Sequence, residues 1–200
     1  MPSWIYDALS SFQSFMDRGS FLDLVGAVVV AGVGSILLVA AHELGHALAA
    51  RARGAPVHTV RVGDRALITL PIGTLRVELG WASGKGDVAG YVAFGARYAT
   101  PIDLLVISLA GPAASLIAAT ACAVLAVALI SHGMVGVIIG LLAVQGLAMA
   151  VGNLIPFGDT QGMWSDGRWA MLAWAARHER RAVLPDRHEA TSVAPPRRRN

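Results

Sequence analysis

Ala41-His42-Glu43-Leu44-Gly45-His46 is the stretch around which the rest of the chain reads. Its two histidines are four apart, so on a helix they share one face, about one turn from each other. Two imidazoles so placed can hold one Zn²⁺. The glutamate beside the first histidine can then take a proton from a water that the metal activates. The stretch ends an apolar run, for residues 24–41 hold no charge. Ionisable groups are costly against lipid, so three of them in this setting mark a functional site.

The composition agrees with a membrane setting. Of 200 residues, 55% are hydrophobic and 14% charged, against about 25% charged in soluble domains. The mean hydropathy is +0.58. These values predict one compact membrane domain. The net charge of +3 is basic, but the basic residues adjoin apolar runs. Anionic lipid and the positive-inside bias account for them, and no nucleic-acid partner is expected. Cys122 is the one cysteine, which excludes an intramolecular disulfide and a cysteine-built metal site. Residues 1–20 lack a basic start followed by an apolar core, so no cleavable signal peptide is expected. Trp4, Ile5, Leu9, Phe12 and Phe15 recur at near-helical spacing there. They predict an amphipathic segment at the membrane interface, the alternative being a terminus packed on the first span.

Working outward, the fold class is a mainly α membrane protein. Its core, residues 21–170, has three transmembrane helices at about 21–50, 101–130 and 134–155. A short membrane-associated β-meander, residues 56–82, lies between helices one and two. The first span stops at Arg51, Arg53, Gly54 and Pro56. The runs 57–62, 66–70 and 75–81 are β-prone and too charged to span, which predicts three strands. Residues 88–99 read equally as a strand or a membrane-dipping segment. Pro101 suits the first turn of the second span, and Gly111-Pro112 sits inside it, where a proline kinks a helix. The third span has Gly136 and Gly140 on one face, and Gln145 as its polar side chain, expected in an interhelical hydrogen bond. An amphipathic helix is predicted over 168–181, with Trp169, Leu172, Ala173 and Ala176 on one side. A disordered basic tail is predicted over 182–200.

Charge predicts the topology. Residues 53–100 and the C-terminal segment carry nearly all the Lys and Arg, while the 131–133 connection has none. The positive-inside rule puts both basic segments in the cytoplasm and the N-terminus outside. His46 then lies roughly 8 Å from Arg51, near the cytoplasmic face. Gly111 and Asn153 fall in the same layer. Zinc needs a third protein ligand. The residues leave Asp166, Asp159 and His58 as candidates, with His178 and His188 in the tail; His132 is excluded by depth.

His42-Glu43-Leu44-Gly45-His46, then Ala110-Gly111-Pro112-Ala113, then Asn153-Leu154-Ile155-Pro156 followed by Asp166-Gly167 resemble the motifs of the site-2 protease family of intramembrane zinc metalloproteases. The order of the three and the β-rich insert after the first also match, and the resemblance covers most of residues 21–170. The chain departs from the pattern in a longer gap from Pro156 to Asp166, and in Ser165 where leucine is usual. The resemblance implies zinc, one per chain, bound by His42, His46 and Asp166, with Asp159 as the alternative third ligand. It implies Glu43 as the catalytic base and a transmembrane protein or peptide as substrate, cut in or near its membrane segment. Asn153 is a candidate contact to substrate backbone or oxyanion, the alternative being a helix cap. An exposed strand edge can hold an extended substrate by backbone pairing, and residues 66–81 are the expected edge. The localisation implied is a multi-pass protein of a bacterial cell membrane. A non-catalytic membrane-binding pseudoprotease on the same fold is the alternative; a zinc transporter would need a polar path that the outer halves of the spans lack.

Overall fold

Three helices, α1 (Phe21–Ala52), α2 (Pro101–Ala128) and α3 (Met134–Leu154), are each long and apolar enough to cross a bilayer. The computed structural model describes residues 21–63, 65–81, 90–129, 134–158 and 164–178, together with 5–6, 9–10 and 13–14. The interfacial segment expected over 1–20 falls mostly outside these residues. So do the 131–133 connection with His132, the tail over 182–200 with His188, and Asp159.

With 32 residues, α1 is about 48 Å long, well beyond the ~30 Å of a bilayer's apolar core. It can therefore span and still carry its histidines close to one end. At that end Arg53 Nε reaches Asp103 Oδ1 at 3.3 Å, joining α1 to the first turn of α2. Asp103 also closes a capping box with Thr100, and Pro101 occupies the first helical position. Farther along the spans, Leu38, Ile138 and Leu142 form an apolar cluster between α1 and α3. Ser35 Oγ donates to Gln145 Oε1 at 2.9 Å, the interhelical hydrogen bond expected of the mid-span polar side chain of α3.

The insert between α1 and α2 is a four-stranded mixed sheet rather than a three-stranded meander. Its strands are β1 (Val57–Val62), β2 (Arg65–Ile72), β3 (Leu75–Trp81) and β4 (Gly90–Phe94), in the order β2-β3-β1-β4. β2 and β3 form the expected hairpin across Gly73 and Thr74, with Ile72 paired to Leu75. Gly73 has φ 62°, which glycine adopts freely. β3 returns between β2 and β1 and pairs with β1 in parallel, a pattern no meander has. Two strand spacings are about 9.6 Å; the three virtual bonds from Val62 to Arg65 reach at most roughly 11 Å. The short link through Gly63 is just long enough for that hop. Residues 90–94 of the ambiguous 88–99 stretch are a strand, antiparallel to β1. The sheet's inner face, Val57, Val60, Val92 and Phe94, packs on Ala47 and Ala50 of α1 and Ile107 of α2. On the outer face Arg61 donates to the buried Glu78 carboxylate through Nε (2.5 Å) and a second guanidinium nitrogen, and lies over the Tyr91 ring.

The last helix, α4 (Asp166–His178), begins two residues before the expected start, so Asp166 belongs to its first turn. Trp169, Ala170, Ala173 and Ala176 are its buried side.

Candidate metal centre

α1 supplies His42, Glu43 and His46, all buried, and α4 supplies Asp166, buried as well. His42 Nε2 is 3.0 Å and His46 Nε2 3.2 Å from Asp166 Oδ2, and the two Nε2 atoms are 3.2 Å apart. Three ligand atoms at 2.0–2.2 Å from a tetrahedral Zn²⁺ stand about 3.3 Å from one another. The observed triangle is within a few tenths of an ångström of that, so these residues fit the metal. The chemistry of the donor set fits too. His46 Nδ1 lies 2.7 Å from the Ile107 carbonyl, which can only accept, so Nδ1 carries the hydrogen. A neutral ring with its hydrogen there turns the lone pair of Nε2 toward Asp166, the tautomer a metal ligand needs.

α2 shapes the pocket from behind. A Cβ built on Gly111 would sit 2.2 Å from His46 Nε2, so the imidazole rests directly on the helix backbone at that point. Gly111 of α2 therefore belongs to the site by sterics. Ser115 follows one turn later on the same face; it is fully buried, with Oγ 2.8 Å from His42 Nδ1. Sequence reasoning missed Ser115. The signal was available in its four-residue spacing from Gly111.

The long gap before Asp166 is closed at its base. Ser165 N donates to the Phe157 carbonyl at 3.0 Å, and Phe157 N donates to Ser165 Oγ at 3.0 Å. The Ser165 hydroxyl donates to the Ile155 carbonyl at 2.7 Å, and Oγ also accepts from Arg168 N at 3.2 Å, capping α4. Gly158 and Trp164 add an antiparallel bridge above. The described ends of the gap, Phe157-Gly158 and Trp164-Ser165, are thus held together. The serine in place of the usual leucine is what ties them. Gly167 follows because a Cβ there would lie 2.0 Å from the Leu154 carbonyl oxygen.

Glu43 packs against the sheet. A Cβ on Gly90 would sit 2.9 Å from Glu43 Oε1 and 2.7 Å from the Arg61 carbonyl oxygen. This places the start of β4 beside the carboxylate. β4 and β2 are the sheet's edges; β3, half of the expected edge 66–81, is interior. The Asn153 amide donates to the Met149 carbonyl one turn back at 3.0 Å. His58 is exposed on β1, as expected of a surface strand residue. Among the described residues, His42, His46 and Asp166 are the group of three able to hold a metal ion.

Among curated proteins none matches this chain significantly. A family model, described as peptidase family M50, matches residues 30–137, more than half of the chain. The matched region contains both histidines, Glu43, the sheet and Gly111-Pro112, and stops before Asp166. M50 peptidases, the site-2 protease family, are zinc-dependent metalloproteases of membranes. With its three apolar helices and its buried His-His-Asp triangle beside a glutamate, the chain belongs to peptidase family M50.

Proposed function

We propose that the chain is an intramembrane zinc endopeptidase that hydrolyses a peptide bond in or near the transmembrane segment of a membrane protein. The observation that carries this reading is the convergence of His42 Nε2, His46 Nε2 and Asp166 Oδ2 within 3.2 Å, with Glu43 buried on the same helix. In this reading the two histidines and Asp166 hold the metal. Bound zinc supplies Lewis-acid activation of water and of the scissile carbonyl. Glu43 accepts the proton of the attacking water on its carboxylate and hands it to the leaving amine. The Gly90 backbone limits where that carboxylate can go.

The substrate helix must unwind to expose its peptide bond. The edge of β4 lies beside Glu43 and offers backbone groups to an extended segment. This supports β4, rather than residues 66–81, as the strand that feeds the site. Asn153 gives one amide hydrogen to the Met149 carbonyl, which leaves its second N–H and its oxygen for a substrate, and it enters as a secondary contact. Asp166 is preferred to Asp159 as third ligand because of its geometry. The charge distribution supports a topology with the N-terminus outside and the site near the cytoplasmic face, and the reading places the chain in a bacterial cell membrane.

The test uses the full chain reconstituted in vesicles with single-span membrane proteins, reading new peptide termini by mass spectrometry and bound zinc by metal analysis. Wild type should generate new termini. Glu43→Gln should hold the same zinc and generate none. Equal cleavage by both would overturn the assigned base.

A further inference from the structure

The apolar exterior continues past the end of the third span. Val144, Leu147, Val151 and Leu154 form one exposed stripe of α3, spaced as a single helix face. On a helix that crosses a bilayer, such a stripe faces acyl chains. Ile155 and Phe157 are exposed beyond it, and so are Met171 and Trp174 on α4, each at 52%. Ala175, one turn from Met171, is exposed with them. The other side of α4, with Trp169, Ala170, Ala173 and Ala176, is buried, and α4 packs mainly on α2. Helix α4 thus has two apolar sides, whereas a helix on a water-facing surface has one.

The contacts at its two ends fix the depth of α4. Gly140 faces Ala126 and Gly146 faces Ala119, so α2 and α3 run antiparallel, and at Leu154 the pairing reaches about position 111 of α2. The Gly167 backbone touches the Leu154 carbonyl, so α4 begins at that level. Its far end lies by the first turn of α2, where Thr100, Pro101 and Ile102 share a groove with Ala176 and Arg177. Helix α4 therefore runs along residues 101–111 of α2, a stretch of about 15 Å that α3 leaves uncovered. With 28 residues, α2 is about 42 Å long, the thickness of a bilayer with its headgroups. Helix α4 then starts inside the hydrocarbon and ends at the headgroup layer. At that end the Arg177 guanidinium lies 5.7 Å from the centre of the Trp174 ring. Tryptophan settles at this boundary, and arginine extends its charge out to it.

We propose that the outer side of α4, formed by Met171, Trp174 and Ala175, is a lipid-contact surface, seated in the leaflet nearer Pro101 with Trp174 and Arg177 at the boundary with the headgroups. The occupant is the bilayer because this face continues the lipid-facing stripe of α3 at adjoining depth. Arg177 stands at the surface end, where it meets anionic headgroups. Asp166 lies in the first turn of α4, so the helix that carries it is held between α2 and acyl chains. This rests on the crossing of the bilayer by α2 and α3, and not on the zinc reading.

The test uses the full chain reconstituted in vesicles of phosphatidylcholine and phosphatidylglycerol. Met171→Cys, Ala175→Cys and, as a lipid-facing control on α3, Val144→Cys are each made in a Cys122→Ser background and spin-labelled. Collisions are then read with oxygen, which partitions into lipid, and with a water-soluble nickel chelate. Labels at 171 and 175 should favour oxygen over the chelate, as the label at 144 does. Labels that favour the chelate would place this side in water, and labels shielded from both would place a protein or a second copy on it; either result overturns the proposal. A second measurement leaves the outer side without labels. Vesicles with brominated acyl chains should quench the tryptophan fluorescence of the wild type, and Trp174→Phe should lose part of that quenching. The same quenched fraction in both would equally overturn it.

Discussion

Gly111→Ala tests the site at its tightest point. The added Cβ would lie 2.2 Å from His46 Nε2, 2.5 Å from Cε1 and 2.8 Å from Cδ2. Carbon sits in comfort about 3.5 Å from a neighbouring heavy atom, so the ring must retreat by about 1 Å. Its Nδ1 bond to the Ile107 carbonyl, 2.7 Å long, would stretch to roughly 3.7 Å, beyond hydrogen-bond range. Overpacking costs about 1–3 kcal/mol, and the orphaned buried donor about 1–3 kcal/mol more. Against this, alanine favours the helix by about 1 kcal/mol over glycine. The net is a loss of about 1–5 kcal/mol. His46 Nε2 leaves the triangle at the same time, so zinc affinity should fall at least 100-fold, or about 2.7 kcal/mol. Thermal denaturation of the solubilised chain reads the first quantity and chelator competition the second. Gly152→Ala is the control, because a Cβ there meets nothing within 4 Å among the described residues; it should be neutral or slightly stabilising. If Gly111→Ala binds zinc like wild type, the close approach of His46 to α2 is not what holds the ring, and the argument fails.

Other substitutions probe the remaining contacts. Gly90→Ala puts a Cβ 2.9 Å from Glu43 Oε1 with the Arg61 carbonyl blocking retreat. It should cut cleavage about tenfold or more while zinc content stays at the wild-type level, and a parallel fall in zinc would show that the sheet supports the metal rather than the base. Ser165→Ala removes the cap of α4 and the tie to Ile155 and Phe157. It should cost about 1–2 kcal/mol in thermal stability and weaken zinc binding; unchanged stability would mean that positions 157 and 165 stay joined without the hydroxyl. Tyr91 supplies a pH test. Burial in the sheet raises its pKa above the ordinary 10.0, partly offset by Arg61. The neutral phenol is therefore favoured by folding. Its contribution is complete below pH 10 and is lost as pH rises through the raised value. Tyr91→Phe should flatten the alkaline limb of the stability curve above pH 10; an unchanged limb would refute the assignment.

The three spans and the placement of His42 and His46 on one helix face were legible locally. A run of apolar residues must become a helix in lipid to satisfy its backbone, and histidines four apart share a face whatever surrounds them. The hairpin of β2 and β3 was legible too, since its turn lies in adjacent residues. Helix α4 was read with the right buried side but two residues late. Its first turn is set by the cap at Ser165, whose partners are Phe157 and Ile155.

What the sequence determined by itself was chemistry and spacing: His42 and His46 on one face, Glu43 between them, and a carboxylate returning after the third span. The tertiary structure decided which groups touch. The hop of β3 between β1 and β2, Gly90 against Glu43, Ser115 behind His42 and the pinch that delivers Asp166 all join residues far apart in the chain. Periodicity reports which face a residue occupies; it carries no information about what packs against that face. Close packing then decides, to within a fraction of an ångström, which glycine must stay bare.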